Sequence, residues 1–479
     1  MFARVTVVMT GALLLIGLGG AVSQAAPLRI VVDSIHAHNA LQEPDESQQY
    51  SYHHIYGYRR AFGYLRSRGV VVDEVTTGRI DEKLLSNASM LFINLVSADL
   101  PPFYLSEIAA IKKYLNSGGS LLVVVDHTNC YYHAYKLAPL FEELGLRVHT
   151  ETGADRLPAT LGTGNGWVAI TRFEKHPVTR DVKRIAFQTG GTVDDRYAIA
   201  RLSPQGWGDD WQWQPYGESE LNKPGAAPGF FGNWQQDADE RSGDLGVIAA
   251  HSVGQGRVLV IGDQNIFGDP FINYLDNYKL WLNSVGWLTG SADLAKHGDY
   301  LAWQKNRIMG YEEPQRSAFG NTDKEGYYNF FVALGRKSWA FASNDLAGDA
   351  NALVFAHDDY ELPSLTLDKL VQHLRHKRDV VVLTSGASGV AAENGRPNML
   401  QQVQQKLGHA IPSLRHINDE LVRTYSWPDC GNFMMIDSRA LYQNAFCPVS
   451  ENKPTPKQQS VLDTAFQLLG IGPRATATK

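Results

Sequence analysis

From Leu28 onward the chain alternates short apolar runs with stretches whose apolar residues return at helical spacing. "LRIVVDS", "VVVDEV", "SMLFINL" and "SLLVVVD" read as strands, apolar along their length rather than at every second position. Between them, "YGYRRAFGYLRSRG" is helical and ends on Gly69, a residue suited to the left-handed position after a helix. "PFYLSEIAAIKKYLNSGG" opens on proline and closes on glycines, and "YKLAPLFEELG" is a further helix. Continuous apolar strands separated by helices predict a mainly parallel sheet covered on both faces, a three-layer α/β/α arrangement.

The layout recurs after about residue 300. Ser86 to Leu105 aligns without gaps on Gly348 to Leu367, matching Ala88 with Ala350, Leu91 with Leu353, and Leu100-Pro101 with Leu362-Pro363. "LRIVVDS" corresponds to "NRIMGYE", "YGYRRAFGYL" to "EGYYNFFVAL", and "SLLVVVD" to "DVVVLTS". Five elements in one order predict two related α/β domains, at about 26–290 and 291–479, the second smaller. Residues 151–241 break the alternation and form an insertion dense in Gly, Pro, Trp and Phe. "LGVIAAHSVGQGRVLVIGDQNIFGD" then reads as a hairpin turning at Gly254 to Gly256, and "NYLDNYKLWLNSVGWLTG" as the helix that ends the first domain.

Composition changes this picture little. The chain has 479 residues, 44% hydrophobic and 20% charged, with a formal net charge of -6. That size accommodates more than one domain, and the mild acidity argues against a nucleic-acid partner. The N-terminus is more specific. "VTVVMTGALLLIGLGGAV" follows Arg4, and Ser23 and Ala25 stand where a signal peptidase needs small residues. Residues 1–25 are therefore expected to be a removed signal peptide, leaving a periplasmic or secreted protein without a stable membrane span. Of three cysteines, Cys430 and Cys447 flank the strand-like "NFMMIDS", a spacing that allows a disulfide; Cys130 is then left over.

"GQGRVLVIGDQNIF" followed by "DNYKLWLNSVGWL", with "GGSLLVVVD" upstream, resembles the class I glutamine amidotransferase-like domains. These are flavodoxin-like sandwiches, found among bacterial envelope proteins of unknown function. The resemblance covers about 28–290 and extends more weakly, through the repeat, to about 450, implying two flavodoxin-like domains. It does not carry over the glutaminase triad. The elbow after "GGSLLVVVD" holds Asp126-His127 where the family has cysteine, Cys130 comes about a turn too late, and His251 is followed two residues on by Val253 rather than Glu.

Ligands of open parallel sheets bind at the carboxyl ends of the strands. There the sequence delivers Asp33, His36 and His38 after the first strand, Asp126 and His127 after the fourth, and Asp263 with Asn265 after the last. His53 and His54 precede the first helix. Asp33, His36, Asp126, His127 and Asp263 are the expected set for a divalent metal such as Zn, Mn or Fe, or for shared acid–base work. The competing role is helix capping, which suits Asp126 and Asn129. Cys130, near a helix N-terminus with His127 and His133 close in sequence, is the candidate nucleophile, its thiolate favoured by the dipole. The second domain has Tyr311 in place of Asp33 and Ser385 at the elbow, a poorer set. Trp207, Trp211, Trp213, Tyr216, Phe230, Phe231 and Trp234 in the insertion offer flat faces for a sugar, and a lid there would cover the first domain's strand ends. The expected function is binding of a small polar ligand, a glycan or peptidoglycan fragment, with metal-assisted hydrolysis as its enzymatic form. The alternative is a non-catalytic envelope scaffold that contacts other envelope proteins.

Overall fold

The computed structural model describes residues 27–37, 41, 57–147, 149–160, 165–210, 231–269, 271–304, 308–311, 340–343, 352–356, 362, 364–384, 398–408, 413–419 and 422–437, with single positions at 456, 460, 463 and 466. The expected signal peptide, His38, His53, His54, Trp211, Trp213, Tyr216, Phe230, Ser385 and Cys447 lie outside these residues. No helix among the described residues is long and apolar enough to cross a membrane.

The strands of the first half are β1 (Arg29–Asp33), β2 (Val71–Val75), β3 (Met90–Asn94), β4 (Ser120–Val124), β5 (Glu151–Ala154), β6 (Trp167–Ile170), β7 (Arg172–Phe173), β8 (Ile185–Gln188), β9 (Ala198–Arg201), β10 (Trp207–Asp210), β11 (Gly246–Val253) and β12 (Gly256–Ile261). Eight of them form one sheet in the order β2-β1-β3-β4-β12-β11-β9-β7. The run from β2 to β12 is parallel, and β11, β9 and β7 extend it antiparallel. Successive side chains of a strand point to opposite faces, so each apolar run supplies two cores. Ile30, Val32, Phe92, Leu122 and Val124 pack with Phe62 and Trp281 on one face. Val31, Leu91, Ile93, Leu121 and Val123 pack with Ile108, Ile111, Leu137 and Phe141 on the other. Helices Arg59–Ser67 and Asn277–Thr289 thus cover one face, and Leu105–Asn116 and His133–Glu143 the opposite one. Fully burying each such side chain stabilises the fold by about 1.5–3 kcal/mol. This is the flavodoxin-like three-layer arrangement.

The second half repeats the plan in a sheet of seven strands where the first has eight. Its strands are β13 (Ile308–Tyr311), β14 (Ala340–Ser343), β15 (Ala352–Ala356), β16 (Asp379–Thr384), β17 (Ser413–Asp419), β18 (Val422–Ser426) and β19 (Asn432–Asp437). They run β14-β13-β15-β16-β19-β18-β17, again parallel as far as β19 and antiparallel beyond it. β13 answers to β1, β15 to β3, β16 to β4 and β19 to β12. Helices Ser364–Arg375 and Met399–Leu407 bury Leu370, Leu374, Val403 and Leu407 against Val380, Val382 and Phe433.

The insertion is more than a loop. β9 and β7 lengthen the first sheet, while β5 pairs with β10 and β6 with β8 as two short antiparallel ribbons. Trp207 is buried inside it beneath the Arg156 guanidinium, 5.3 Å from the ring centre, so it packs the insertion rather than facing a ligand.

Candidate functional site

β4 keeps its pairing with β12 for one residue past its end, where the Val125 N–H donates to the Ile261 carbonyl (2.8 Å). The chain then turns. Asp126, His127, Thr128, Asn129 and Cys130 are all buried, the last three at 1% exposure or less. Thr128, Tyr131 and Tyr132 adopt φ of 45°, 54° and 57°, left-handed values in three side-chain-bearing residues. Each costs roughly 1–2 kcal/mol, and such strain persists only where the surroundings hold it. The turn is closed by the Cys130 N–H on the His127 carbonyl (3.2 Å). Gly191 packs on its back, where a Cβ would stand 2.3 Å from the Asp126 carbonyl oxygen, so no larger residue fits.

The expected capping duty falls to one residue only. Asn129 Oδ1 accepts the Ala134 N–H (3.1 Å) of helix His133–Glu143. Asp126 Oδ1 accepts the N–H of its own neighbour His127 (2.9 Å) and does not cap the helix. Burial, reinforced by the nearby Asp263 carboxylate, pushes the Asp126 carboxyl well above the usual range. Asp263 follows β12, is fully buried, and is pushed up to about 7 by burial, although the N–H groups of Gln188 and Asn265 (both 2.7 Å) and of Ile266 favour its charge. The Tyr58 hydroxyl donates to the Gln264 carbonyl (2.6 Å), and burial together with the charges of Asp263 and Asp126 raises this phenol. β4, β12 and the start of the first helix thus share one acidic neighbourhood.

Burial works against the expected Cys130 thiolate. Burial, with Asp126 adding to it, pushes the thiol well up, so it keeps its proton. Its Sγ lies 3.8 Å from His133 Nδ1, but that nitrogen donates to the Cys130 carbonyl (2.9 Å). His133 is pushed down to about 4 by burial, hence neutral, and its Nε2 accepts the Asp126 N–H across a long 3.5 Å. Neither side chain is poised for nucleophilic work.

The five-residue metal set does not assemble. Asp33 spends its Oδ1 on the N–H groups of Ile35 (2.9 Å) and His36 (3.2 Å), and its Oδ2 lies 2.9 Å from His36 Nδ1. His36 Nε2 faces Glu107 Oε2 at 3.5 Å, and the ring stacks on Phe103 at 4.1 Å. This pair therefore turns toward helix Leu105–Asn116. β3 lies between β1 and β4, which puts the two strand ends roughly 10 Å apart. Among the described residues, the side chains close enough to share an ion are Asp126, His127 and Cys130, whose ligand atoms all lie within 4.8 Å of one another.

Besides His36 Nε2, four buried polar atoms at this edge have no hydrogen-bond partner among the described residues: Asn94 Oδ1 at the last residue of β3, Asn129 Nδ2 after β4, Gln264 Oε1 after β12, and Gln188 Oε1, whose backbone N–H holds Asp263. The sequence pattern does not single out Asn94, Gln188, Gln264, Tyr58 or Glu107. Gln264 sits inside "GDQNIF" between Asp263 and Asn265, and position after a strand was the available signal. Gln188 lies in the insertion, where no pattern pointed to this edge. The insertion also returns from outside the described residues at Phe231, whose ring stacks on His127 at 4.3 Å and 20°. Trp234 follows at 5.3 Å from Phe231, its N–H donating to Asp209 Oδ1 (3.0 Å). The described end of the aromatic segment thus covers the strand end that carries His127.

No protein-family model matches the sequence, and no curated protein matches it. Similar solved structures include the N-terminal domain of mmIFT52, at 15% identity over 54% of this chain and 97% of that one, with a TM-score of 0.37. A ThuA-like protein from Bacteroides uniformis shares 14% identity over 57% and 95%, with a TM-score of 0.31. A Thermoplasma acidophilum protein described as part of a GMP synthase shares 11% over 56% and 96%, with a TM-score of 0.27. At such values the assignment of fold rests on the strand order of the two sheets, and no binding partner or reaction passes from these proteins to this chain.

Proposed function

We propose that the carboxyl edge of the first sheet binds a neutral polar ligand rich in hydroxyl donors, of the carbohydrate class, in an exported protein. The observation that carries this reading is the set of unpartnered buried amide atoms. An unpaired buried polar group costs about 1–3 kcal/mol, a penalty that a ligand hydrogen bond removes. Asn94, Gln188 and Gln264 each present a carbonyl oxygen, and Asn129 presents an N–H, so the edge accepts more than it donates. The acidic neighbours disfavour an anion, and the nearby Arg59 is committed to Asp269 at 2.9 Å. Phe231 adds a flat ring over His127, the kind of face that stacks on a sugar. In a reacting ligand, Asp263, pushed up to about 7, is suited to exchange a proton near neutrality.

The test compares wild type with Gln264→Met in thermal unfolding, with and without neutral oligosaccharides, including peptidoglycan-derived fragments. Met keeps the backbone carbonyl that receives Tyr58 and deletes the unpartnered side-chain oxygen. The unliganded variant is expected to be as stable as wild type or up to about 1 kcal/mol more stable, while its ligand affinity falls at least tenfold. Loss of stability without ligand would show that Gln264 serves the fold. Absence of any ligand-induced shift in wild type, with an envelope protein co-purifying, would favour the scaffold.

A further inference from the structure

We infer that the turn after β4 binds one borderline-soft divalent cation of the zinc class, held by the Asp126 carboxylate, a His127 ring nitrogen and the Cys130 sulfur. This differs from the set read in the sequence: Asp33 and His36 drop out and the cysteine enters. It stands apart from the carbohydrate reading, since it concerns the ion alone.

The three donors lie within one five-residue turn, all buried, with their ligand atoms within 4.8 Å of each other. Tetrahedral zinc with bonds of about 2.0–2.3 Å spaces its donors roughly 3.5 Å apart, so a contraction of about 1 Å closes the site. The left-handed Thr128 between His127 and Asn129, together with the Cys130 N–H on the His127 carbonyl, brings residues 127 and 130 to one side of the turn. Thr128 Oγ1 lies 2.9 Å from His127 Nδ1, the outer contact that commonly orients a metal-bound imidazole.

Charge supplies the second argument. No Lys or Arg forms an ion pair with Asp126 among the described residues, and the hydrogen bond its side chain accepts is the His127 N–H on Oδ1 (2.9 Å). A buried carboxylate is stable when paired or metal-bound. One divalent ion balances one carboxylate and one thiolate, and the neutral imidazole completes three donors at zero net charge. The proton of the Cys130 thiol, and that of Asp126 where present, pass to solvent as the ion enters; no electron changes hands. Three protein donors leave a fourth position for water or ligand, the pattern of reactive rather than structural zinc sites. Phe231, stacked on His127, covers that side.

The experiment uses the full chain without a histidine tag, stripped of metal and titrated with Co²⁺. The expected result is one equivalent bound, four-coordinate visible bands, and a near-ultraviolet thiolate-to-cobalt band. Cys130→Ser should abolish the near-ultraviolet band, a Cys430→Ser/Cys447→Ser double variant should keep it, and Asp126→Asn should weaken binding at least tenfold. Substoichiometric uptake by wild type, or uptake without the thiolate band, would overturn the site. That result on unmutated protein decides the matter even where a variant does not fold.

Discussion

Asp209 shows how one buried side chain can set the pH response of the protein. It is fully buried on β10, and burial, with Glu240 and Asp237 adding repulsion, pushes its carboxyl from 3.8 up to about 7. The folded chain therefore holds this proton more tightly than the unfolded chain does. Stability from this group is greatest below about pH 4 and declines as pH rises toward 7, where the proton is lost in both states. Asp209→Asn should remove that decline, leaving the variant more stable than wild type at pH 8 by an amount on the order of 1–3 kcal/mol and similar to it at pH 4. Denaturant unfolding at the two pH values measures it; an equal difference at both would assign the change to packing. Residues such as Asp126, His127, Cys130 and Asp263 were legible because strand, turn and helix succeed one another in plain order. Their directions were not. Asp33 occupies the same kind of position as Asp126, yet its carboxylate folds back on His36, a choice made by local N–H groups that no periodicity records.

At the scale of elements, helix ends are the most regular feature, and one departs from the rule. After helix Ser364–Arg375 the Arg378 N–H bonds to the His373 carbonyl (3.2 Å) and the Lys377 N–H to the Leu374 carbonyl (2.9 Å), the paired bonds of a Schellman turn. Its left-handed residue is Lys377, φ 60°, where the first helix uses Gly69. The ion pair Lys377 makes with Asp429 is exposed on both sides and 3.4 Å long, so it contributes little. Lys377→Gly is expected to stabilise the chain by about 1 kcal/mol, read as a higher denaturant midpoint with an unchanged slope. The parallel strands, the hairpin of β11 and β12, and the main helices could be read from the sequence because each carries its own period and its own stop signal. β5, β6, β8 and β10 could not. They span four residues apiece, and their partners come from distant segments, so pairing rather than local pattern creates them.

Over the whole molecule, the repeated strand order means that two sheets each bury their own apolar residues. Trp281 lies at the centre of the first, ringed by Tyr58, Phe62, Phe92 and Phe267, while Leu370, Val382 and Phe433 belong to the second. Trp281→Ala should cost about 3–5 kcal/mol. In calorimetry, one transition is expected to fall in temperature while a second stays in place; a single transition moving as a whole would show that the halves unfold as a unit. The repeat was visible because the same elements recur in the same order along the chain. The register places Tyr311 beside Val354 as Val32 lies beside Phe92, one position before the counterpart of Asp33, which falls outside the described residues.

The chain order of β12 has a bearing on how the protein is made. This strand sits beside β4 in the middle of the first sheet, yet more than a hundred residues separate the two along the chain. As the polypeptide emerges from the ribosome, β4 must wait with a bare row of amide and carbonyl groups until the whole aromatic insertion has been synthesised. An open strand edge of that kind recruits stray partners. In the second half the wait from β16 to β19 is much shorter. The N-terminal module is thus the one in greater need of a chaperone during biogenesis, and its vulnerability is written into the order of the strands.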